Sequence, residues 1–454
     1  MIAPARTAAY DVLQAIDSGR SDLPHALARA RSNLDDERDR ALAGEIASGT
    51  LRWQASFDHV ISEFTRRPSS RLDREVLLIL RLTIFQLLHL DRVPASAAVN
   101  DAVSMTRRAG KKSAAPLVNA VLRRVSRERN RLPLPPRPEA AGDRGSVLDY
   151  LAVTLSHPRW LAARWLDRYG FDAAEAWMRF NNAPAALTLR ANRLRATREE
   201  VAEALEARGV QTVATRFAPD GLVVTHGNPL RTPAADRGLF FVQEEASQLV
   251  PLMTGVAPGE LVLDACASPG GKTIAMSAAM TDTGLIVASD VRGRRLELLA
   301  QTIAAAGAGN VRIVQADVSR ALPFAPRFDC VLLDAPCSGL GTIRRDPDIK
   351  WRRSEADFEA LQALQLRMIR ESAAVLRPGG RLIYSTCSSE PEENEEVVRS
   401  FAASSHFEVV RPAGLPPAMA ALVDADGYLR TYPFRDGLEA FFAAALRSPA
   451  AFLR

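Results

Sequence analysis

One stretch, residues 261–273, constrains the fold of this chain most, because it orders a strand, a glycine-rich loop and a helix start. Its letters LVLDACASPGGKT begin with apolar residues, turn at Asp264 and reach Gly270, Gly271 and Lys272. This order brings backbone N–H groups to the carboxyl end of a parallel strand, where doubly wound α/β folds bind ligands. The spacing fits neither a Walker loop nor a Gly-x-Gly-x-x-Gly motif. A plain strand-to-helix turn remains a second reading of this stretch.

Length and composition indicate a multidomain protein without membrane segments. The 454 residues leave room for about three domains. A hydrophobic content of 47% and a charged content of 24% are ordinary for globular proteins. No run approaches the roughly 18 apolar residues of a membrane span. Asp11 and Asp17 lie where a signal peptide would need an apolar core, so we expect a cytoplasmic location.

Cysteine usage argues against zinc and against structural disulfides. No pair has Cys-x-x-Cys spacing, and a large chain without an export signal favours free thiols, so we expect no metal site. The four cysteines are Cys266, Cys330, Cys337 and Cys387.

Positive charge is concentrated at the N-terminal end. Residues 1–131 hold 22 Lys and Arg against 15 Asp and Glu, whereas the whole chain has a net charge of only +5. Such asymmetry suggests a polyanionic partner, although a basic run is also compatible with a solvated helix face. The late basic residues of this region are Arg107, Arg108, Lys111, Lys112, Arg123, Arg124, Arg127, Arg129 and Arg131.

Residues 1–131 are predicted to form an all-helical domain, because apolar residues recur at three- and four-residue spacing. The run 78–124 resembles the NusB-type RNA-binding helical domain. That family usually has Gly after the Asn of a Val-Asn-Gly-Val-Leu stretch, whereas Ala120 follows Asn119 here. The resemblance implies that this domain binds RNA.

A proline-rich stretch follows the helical region. Residues 132–146, LPLPPRPEAAGDRGS, are interpreted as a stiff linker. Residues 147–239 then read as a small α+β module, with two helices, a strand over 186–191 and short strands over 213–217 and 222–225. Within it, Thr197 and Glu200 have the spacing of a capping box.

From residue 240 to the end, strands alternate with helices, which is the pattern of a parallel sheet. We predict one α/β domain over 240–454. Its seven candidate strands are residues 261–266, 285–290, 311–315, 328–334, 381–385, 407–410 and 441–446.

Acidic residues follow the first four of these strands: Asp264, Asp290, Asp317 and Asp334. The carboxyl ends of such strands line one crevice in an open α/β sheet. Each Asp alone is also compatible with a helix cap. Four carboxylates beside one glycine-rich turn suit a nucleoside that carries a cationic sulfonium better than a polyphosphate, which they would repel.

Two thiols follow adjacent strands. Cys337 lies in the run Asp334-Ala335-Pro336-Cys337-Ser338-Gly339, and Cys387 in Ser385-Thr386-Cys387-Ser388. Amino-group methyltransferases carry an aromatic residue where Cys337 stands, which disfavours attack through an amino nitrogen. A thiolate that adds to carbon 6 of a pyrimidine makes carbon 5 nucleophilic, which is covalent catalysis. No histidine is adjacent in sequence, so Asp334 is the candidate proton donor to the base.

Residues 240–446 resemble the RNA 5-methylcytosine methyltransferases that use S-adenosylmethionine. The resemblance rests on the segments 241–247, 266–273, 334–339, 344–351, 386–388 and 391–394. The family's first motif often reads Cys-Ala-Ala-Pro, and Ser268 departs mildly from it. Together with the NusB-like front end, the whole chain resembles the bacterial members of this family that act on small-subunit ribosomal RNA.

The resemblance implies a class I, Rossmann-like methyltransferase domain with a seven-stranded sheet. It implies that Cys387 is the nucleophile, that Cys337 assists release of the methylated base, and that residues 344–351 and 132–240 help to hold RNA. The positions that match cofactor contacts are Cys266, Ala267, Ser268, Pro269, Gly270, Gly271, Lys272, Asp290, Asp317 and Asp334.

The sequence therefore predicts a monomeric cytosine-C5 methyltransferase whose cofactor is S-adenosyl-L-methionine and whose substrate is small-subunit ribosomal RNA. Three alternatives stay open. They are a non-catalytic RNA-binding assembly factor, a transfer RNA cytosine-5 methyltransferase and, disfavoured by Cys337, a purine-modifying methyltransferase.

Overall fold

A computed structural model describes residues 2–139 and 142–450. These residues form two compact units. The first runs to Pro184 and also includes Ile343–Arg353, and the second comprises Ala185–Thr342 and the residues from Ser354 onward. None of the described helices is long and apolar enough to cross a membrane.

Helices dominate the first unit. In chain order the helices of the N-terminal part are α1 (Pro4–Asp17), α2 (Leu23–Ser32), α3 (Glu37–Arg52), α4 (Gln54–Thr65), α5 (Arg74–His89), α6 (Ala95–Arg108), α7 (Ala115–Arg127), α8 (Arg144–Asp149), α9 (Arg159–Tyr169) and α10 (Phe171–Asn182). The later helices are α11 (Arg198–Glu206), α12 (Pro233–Asp236), α13 (Glu245–Leu249), α14 (Gly271–Ala279), α15 (Gly293–Ala306), α16 (Ile349–Arg352), α17 (Asp357–Ala374), α18 (Glu395–Ser405), α19 (Pro417–Ala420) and α20 (Pro433–Asp436).

The strands all belong to the second unit. They are β1 (Thr188–Ala191), β2 (Gln211–Ala214), β3 (Gly221–His226), β4 (Phe240–Val242), β5 (Leu261–Asp264), β6 (Leu285–Asp290), β7 (Val311–Gln315), β8 (Phe328–Asp334), β9 (Leu376–Thr386), β10 (Glu408–Val410), β11 (Tyr428–Arg430) and β12 (Phe442–Arg447).

The predicted all-helical N-terminal domain is confirmed. Helices α1 to α7 pack around a common core that includes Leu13, Ile46, Ile79 and Leu122. Helix α5 is buried almost all round, because ten of its apolar and polar side chains besides Arg81 are enclosed. Burial of apolar area at about 25 cal/mol per Å² stabilises such a bundle.

The proline-rich stretch contains no helix or strand over residues 132–139, and residues 140 and 141 lie outside the described residues. This stretch lies inside the first unit, which continues through α8, α9 and α10. The domain boundaries predicted at 131, 146 and 239 stay a prediction.

The small module contains an antiparallel sheet of order β2-β3-β1-β4. Helix α11 begins with the predicted capping box, in which the Thr197 side chain accepts from Glu200 N and the Glu200 side chain accepts from Thr197 N. Strand β4 pairs with β1, so Phe240–Val242 completes this small sheet although we assigned residue 240 to the following domain. Three residues are too few to show which sheet a strand joins.

The large sheet has the order β10-β12-β9-β8-β5-β6-β7. Strands β5 to β9 are parallel, and β12 pairs antiparallel with β9. All seven predicted strands are present, but the predicted count is one too low. The eighth strand, β11, pairs with β12, and its three residues are too short to show an alternating pattern.

Apolar cores cover both faces of this sheet, one including Val262 and Ile286 and the other including Leu263 and Val331. Parallel strands buried on both faces read as continuous apolar runs, which is how β5 and β8 could be predicted. Their carboxyl ends meet at one edge, where the glycine-rich loop begins.

Candidate active site

The loop after β5 has a backbone that requires glycine. Gly270 has φ +108° and forms the N-cap of α14. A Cβ atom at this position would lie 2.9 Å from Leu299 Cδ1. Gly270 N donates to Ala267 O at 2.7 Å, and Ala267 N donates to Ser289 O at 2.8 Å, which ties the loop to the end of β6. The N-terminus of α14 is thereby fixed at the sheet edge.

Asp264, at the end of β5, is a buried carboxyl with one unused oxygen. Its Oδ2 accepts from Thr273 Oγ1 at 2.6 Å, whereas Oδ1 is buried and has no protein partner. Burial raises the pKa of Asp264 to about 7, and the hydrogen bond from Thr273 opposes that rise. An orphaned buried acceptor of this kind is suited to a ligand donor.

A cavity of about 300 Å³ opens beside this loop. It is lined by Phe241, Val242, Gln243, Ser247, Asp264, Cys266, Ala267, Ser268, Pro269, Gly271, Lys272, Thr302 and Asp334. Most of the predicted cofactor residues therefore surround one space. Gly270, Asp290 and Asp317 are not among its lining residues.

Asp290 and Asp317 end or follow the neighbouring strands. Asp290 Oδ1 accepts from Arg292 N at 3.2 Å, and Asp290 Oδ2 lies 3.7 Å from Arg295 Nη1. Asp317 accepts from the Ser319 hydroxyl and backbone N–H, and these hydrogen bonds lower its pKa. Both carboxylates thus also have the local backbone partners that a turn would provide.

Lys272 and Asp334 form an ion pair that sequence order did not predict. Lys272 Nζ lies 2.7 Å from Asp334 Oδ2, and Ser385 Oγ donates to Asp334 Oδ1 at 2.7 Å. Burial lowers the pKa of Lys272, but the charge and hydrogen bond of Asp334 and the charge of Asp264 outweigh it, so the net pKa is raised. Lys272 is therefore an ammonium group held at the carboxyl end of β8.

The two thiols that the sequence predicted at neighbouring strand ends, Cys337 and Cys387, lie close together. Cys337 Sγ lies 3.4 Å from Cys387 Sγ, which is hydrogen-bond distance for sulfur. The hydrogen bond with Cys387, burial and the charge of Glu393 raise the pKa of Cys337 well above its usual range. Cys337 therefore favours its neutral thiol form, and its sulfur lies within hydrogen-bond reach of Cys387.

The other two cysteines lie in different surroundings. Cys266 lines the cavity, and burial raises its pKa, so it is a neutral contact there. Cys330 is a buried core residue of β8. Within residues 2–139 and 142–450, no group of three or more His, Cys, Asp and Glu side chains could hold a metal ion.

Residues 344–351, expected to help hold RNA, belong to the first unit, and key side chains of this segment point into its interior. Lys350 is fully buried, and its Nζ donates to Arg52 O at 2.9 Å and to Ser156 O at 2.6 Å. Trp351 Nε1 donates to Leu51 O at 2.6 Å, and Arg344 stacks over Phe180. The Lys350 side chain is therefore enclosed by protein carbonyls, and the expected role of residues 344–351 in holding RNA stays a prediction.

The second unit thus presents a polar cavity with a glycine-rich wall, an ammonium–carboxylate pair and two thiols at neighbouring strand ends. Sequence reasoning identified the thiols and strand-end carboxylates. It did not identify Thr273, Ser385 or Glu393, although each stands within or beside a motif already singled out.

Family models match three parts of the chain. The model described as 16S rRNA methyltransferase RsmB/F matches residues 252–447. The NusB family model matches residues 3–127. A ferredoxin-like domain of RsmF/B-like methyltransferases matches residues 157–231.

Similar proteins extend over nearly the whole chain. A probable ribosomal RNA small subunit methyltransferase B of Bacillus subtilis is 32% identical over 92% of both chains. The ribosomal RNA small subunit methyltransferase B of Pseudomonas syringae pv. tomato is 33% identical over 91% of this chain and 90% of its own. The crystal structure of PH0851 has a TM-score of 0.79 with 27% identity and covers 98% of this chain and 99% of its own.

Proposed function

Because the chain belongs to the ribosomal RNA small subunit methyltransferase B family, we propose that it methylates carbon 5 of a cytosine in 16S ribosomal RNA. The proposed donor is S-adenosyl-L-methionine, and the proposed nucleophile is Cys387. The observation that carries this proposal is the pair of sulfurs 3.4 Å apart beside the Lys272–Asp334 ion pair.

The residues of the cavity fit S-adenosylmethionine. Asp264 Oδ1 is a buried acceptor without a protein partner, and a Cβ at Gly271 would lie 3.3 Å from Gln243 Nε2, so glycine keeps this wall open. The carboxylates that line the cavity, Asp264 and Asp334, favour a ligand with positive charge, such as a sulfonium. When bound, this cofactor would supply an electrophilic methyl group on its sulfonium.

The chain's own groups can prepare the base. The Cys387 thiolate forms a bond to carbon 6, and the electron pair of the carbon 5–carbon 6 double bond moves into the ring as its nitrogen 3 takes a proton. Lys272 Nζ, paired with Asp334, holds a proton where Asp334 could pass it to that nitrogen. Carbon 5 then has the enamine character that a methyl acceptor needs.

Release of the product requires the reverse changes. The proton on carbon 5 must leave, and the bond between Cys387 and carbon 6 must break. Cys337 lies next to Cys387, and as a thiolate it would take the carbon 5 proton while the electron pair of the Cys387–carbon 6 bond returns to the Cys387 sulfur. We assign it the role of assisting release.

Two variants separate these roles. Cys387→Ala is expected to abolish methyl transfer, because it removes the sulfur assigned to add to carbon 6. Cys337→Ala is expected to retain the covalent bond and to accumulate a protein–RNA adduct on a denaturing gel. Cys330→Ala is the matched control, since it removes a thiol from the core of β8.

The decisive measurement is bisulfite sequencing of ribosomal RNA from a deletion strain complemented with each variant. We expect one 16S cytosine to lose its mark and to regain it with the wild type and Cys330→Ala only. Retained methylation with Cys387→Ala would contradict the mechanism. No change at any ribosomal cytosine would contradict the substrate and direct the search to transfer RNA.

A further inference from the structure

A fully buried carboxylate, Glu393, lies behind the two thiols. It ends the short 3₁₀ turn Pro391–Glu393 that follows β9. Its Oε1 accepts from Ser338 N at 2.7 Å and from Gln365 Nε2 at 3.2 Å. Its Oε2 accepts from Ser338 Oγ at 2.5 Å and from Ser388 Oγ at 2.6 Å. Four donors therefore satisfy one buried carboxylate, which offsets its desolvation.

The donors come from the two loops that carry the thiols. Ser338 directly follows Cys337 on the loop after β8, and Ser388 directly follows Cys387 on the loop after β9. The two serine hydroxyls also lie 3.2 Å from each other. One carboxylate thus connects the residues that flank both sulfurs.

Glu393 is itself held in place. Tyr384 Oη donates to Glu393 O at 2.6 Å, and Gln365 Nε2 also donates to Pro336 O at 3.0 Å. The neighbouring Asn394 donates to Ser388 O at 3.0 Å and accepts from Thr386 Oγ1. A rigid support of this kind transmits its geometry to whatever it binds.

We propose that Glu393 is a positioning residue that fixes the separation of Cys337 and Cys387 by binding the serine after each of them. The inference rests on the proposed function, in which one sulfur attacks the base and the other assists release. Glu393 acts on the sulfurs through Ser338 and Ser388, whose hydroxyls both donate to its Oε2.

The carboxylate is the acceptor that both loops share. Glu393→Gln keeps the volume of the side chain but replaces one acceptor oxygen by an NH₂ donor. The two serine hydroxyls that now donate to Oε2 must then turn round and accept from that NH₂ group, or lose the contact. The expected result is a shift of one sulfur relative to the other.

The first test is steady-state methylation of 16S RNA by the full chain. Glu393→Gln is expected to lower kcat by about 10- to 100-fold, the range that misplacement of a reacting group by roughly 1 Å produces. KM for RNA and the affinity for S-adenosylmethionine, measured by calorimetry, are expected to stay unchanged. Glu396→Gln is the control, because Glu396 is exposed and contacts Gln362 instead.

The second test needs no methyl transfer. The oxidant diamide joins two nearby thiols into a disulfide as it takes up their two hydrogens, and mass spectrometry measures the Cys337–Cys387 product over time. We expect rapid closure in the wild type and in Glu396→Gln, and closure at least tenfold slower in Glu393→Gln. Equal closure rates together with equal kcat would overturn the proposal.

The two tests separate this inference from the proposed function. If the wild type methylates no cytosine but Glu393→Gln slows disulfide closure, the proposed reaction fails and the positioning role stands. If Glu393→Gln does not fold, as judged by its melting curve, Ser338→Ala and Ser388→Ala replace it. Each removes one donor to the carboxylate and is expected to slow closure, and wild-type closure in both would overturn the proposal.

Discussion

Four aspartates of the same chemical type follow strands β5 to β8 in different environments. Asp264 is enclosed, Asp290 accepts from the backbone of the next loop, Asp317 is tied to Ser319, and Asp334 is paired with Lys272. Their placement could be predicted, because parallel strands end at one edge. Their partners could not, since Lys272 and Asp334 are 62 residues apart in the chain.

The stability of the protein should depend on pH through Asp264. Burial raises the pKa of Asp264 from 3.8 to about 7, so between these values the folded state binds more protons than the unfolded state. The free energy of unfolding therefore falls as pH rises from about 4 to 7. Asp264→Asn should remove up to about 4 kcal/mol of this decrease, at about 1.4 kcal/mol per pKa unit. Melting curves of the wild type and of Asp264→Asn from pH 4.5 to 8 measure this decrease in stability.

Asp317→Asn provides the matched control with the opposite sign. Hydrogen bonds from Ser319 lower the pKa of Asp317, so its contribution to stability is present above the ordinary pKa and is lost as pH falls. This variant should leave the decrease between pH 5 and 7 in place. A wild-type melting temperature that is flat over that range would contradict the assignment to Asp264.

At the scale of elements, strands with long apolar runs could be read from the sequence, whereas two of the three-residue strands could not. Strands β5 to β8 were predicted nearly to the residue, whereas β4 and β11 were not predicted as strands. Whether a segment of three residues forms such a strand is decided by its pairing with strands that are distant in the sequence. The same reason explains why the burial of Lys350 could not be predicted. Its three acceptors come from residues at least 168 positions away in the chain.

The glycine-rich loop leads to a prediction about one element. Gly270→Ala places a Cβ at φ +108° and 2.9 Å from Leu299, so it should destabilise the second unit by about 1–3 kcal/mol and weaken S-adenosylmethionine binding. Gly293→Ala is the control, because Gly293 begins α15 with nothing within 4 Å of the added Cβ. Calorimetry and melting curves measure both. Equal losses in the two variants would contradict a specific role of the loop backbone.

At the scale of the whole molecule, chemistry and positive charge lie in different units. The thiols, the ion pair and the cavity belong to the second unit, whereas the excess of basic residues lies within 1–131. On α7, Arg123 and Arg127 are exposed and lie four residues apart on one face. The sequence left two readings of this face, a phosphate-contacting surface and a solvated helix, and the fold is compatible with both.

Salt dependence distinguishes these readings. Each phosphate contact contributes roughly 0.7–0.9 to the slope of log K against log salt, because binding releases counterions. If α7 contacts RNA, the double variant Arg123→Gln/Arg127→Gln should weaken binding to 16S RNA and reduce that slope by about 1–2 units, measured by fluorescence anisotropy from 50 to 300 mM KCl. Arg367→Gln/Arg370→Gln, on exposed positions of α17, makes the same change in net charge. An equal change of slope in both pairs would mean that only net charge matters, and an unchanged slope in the α7 pair would make that face a solvated helix surface.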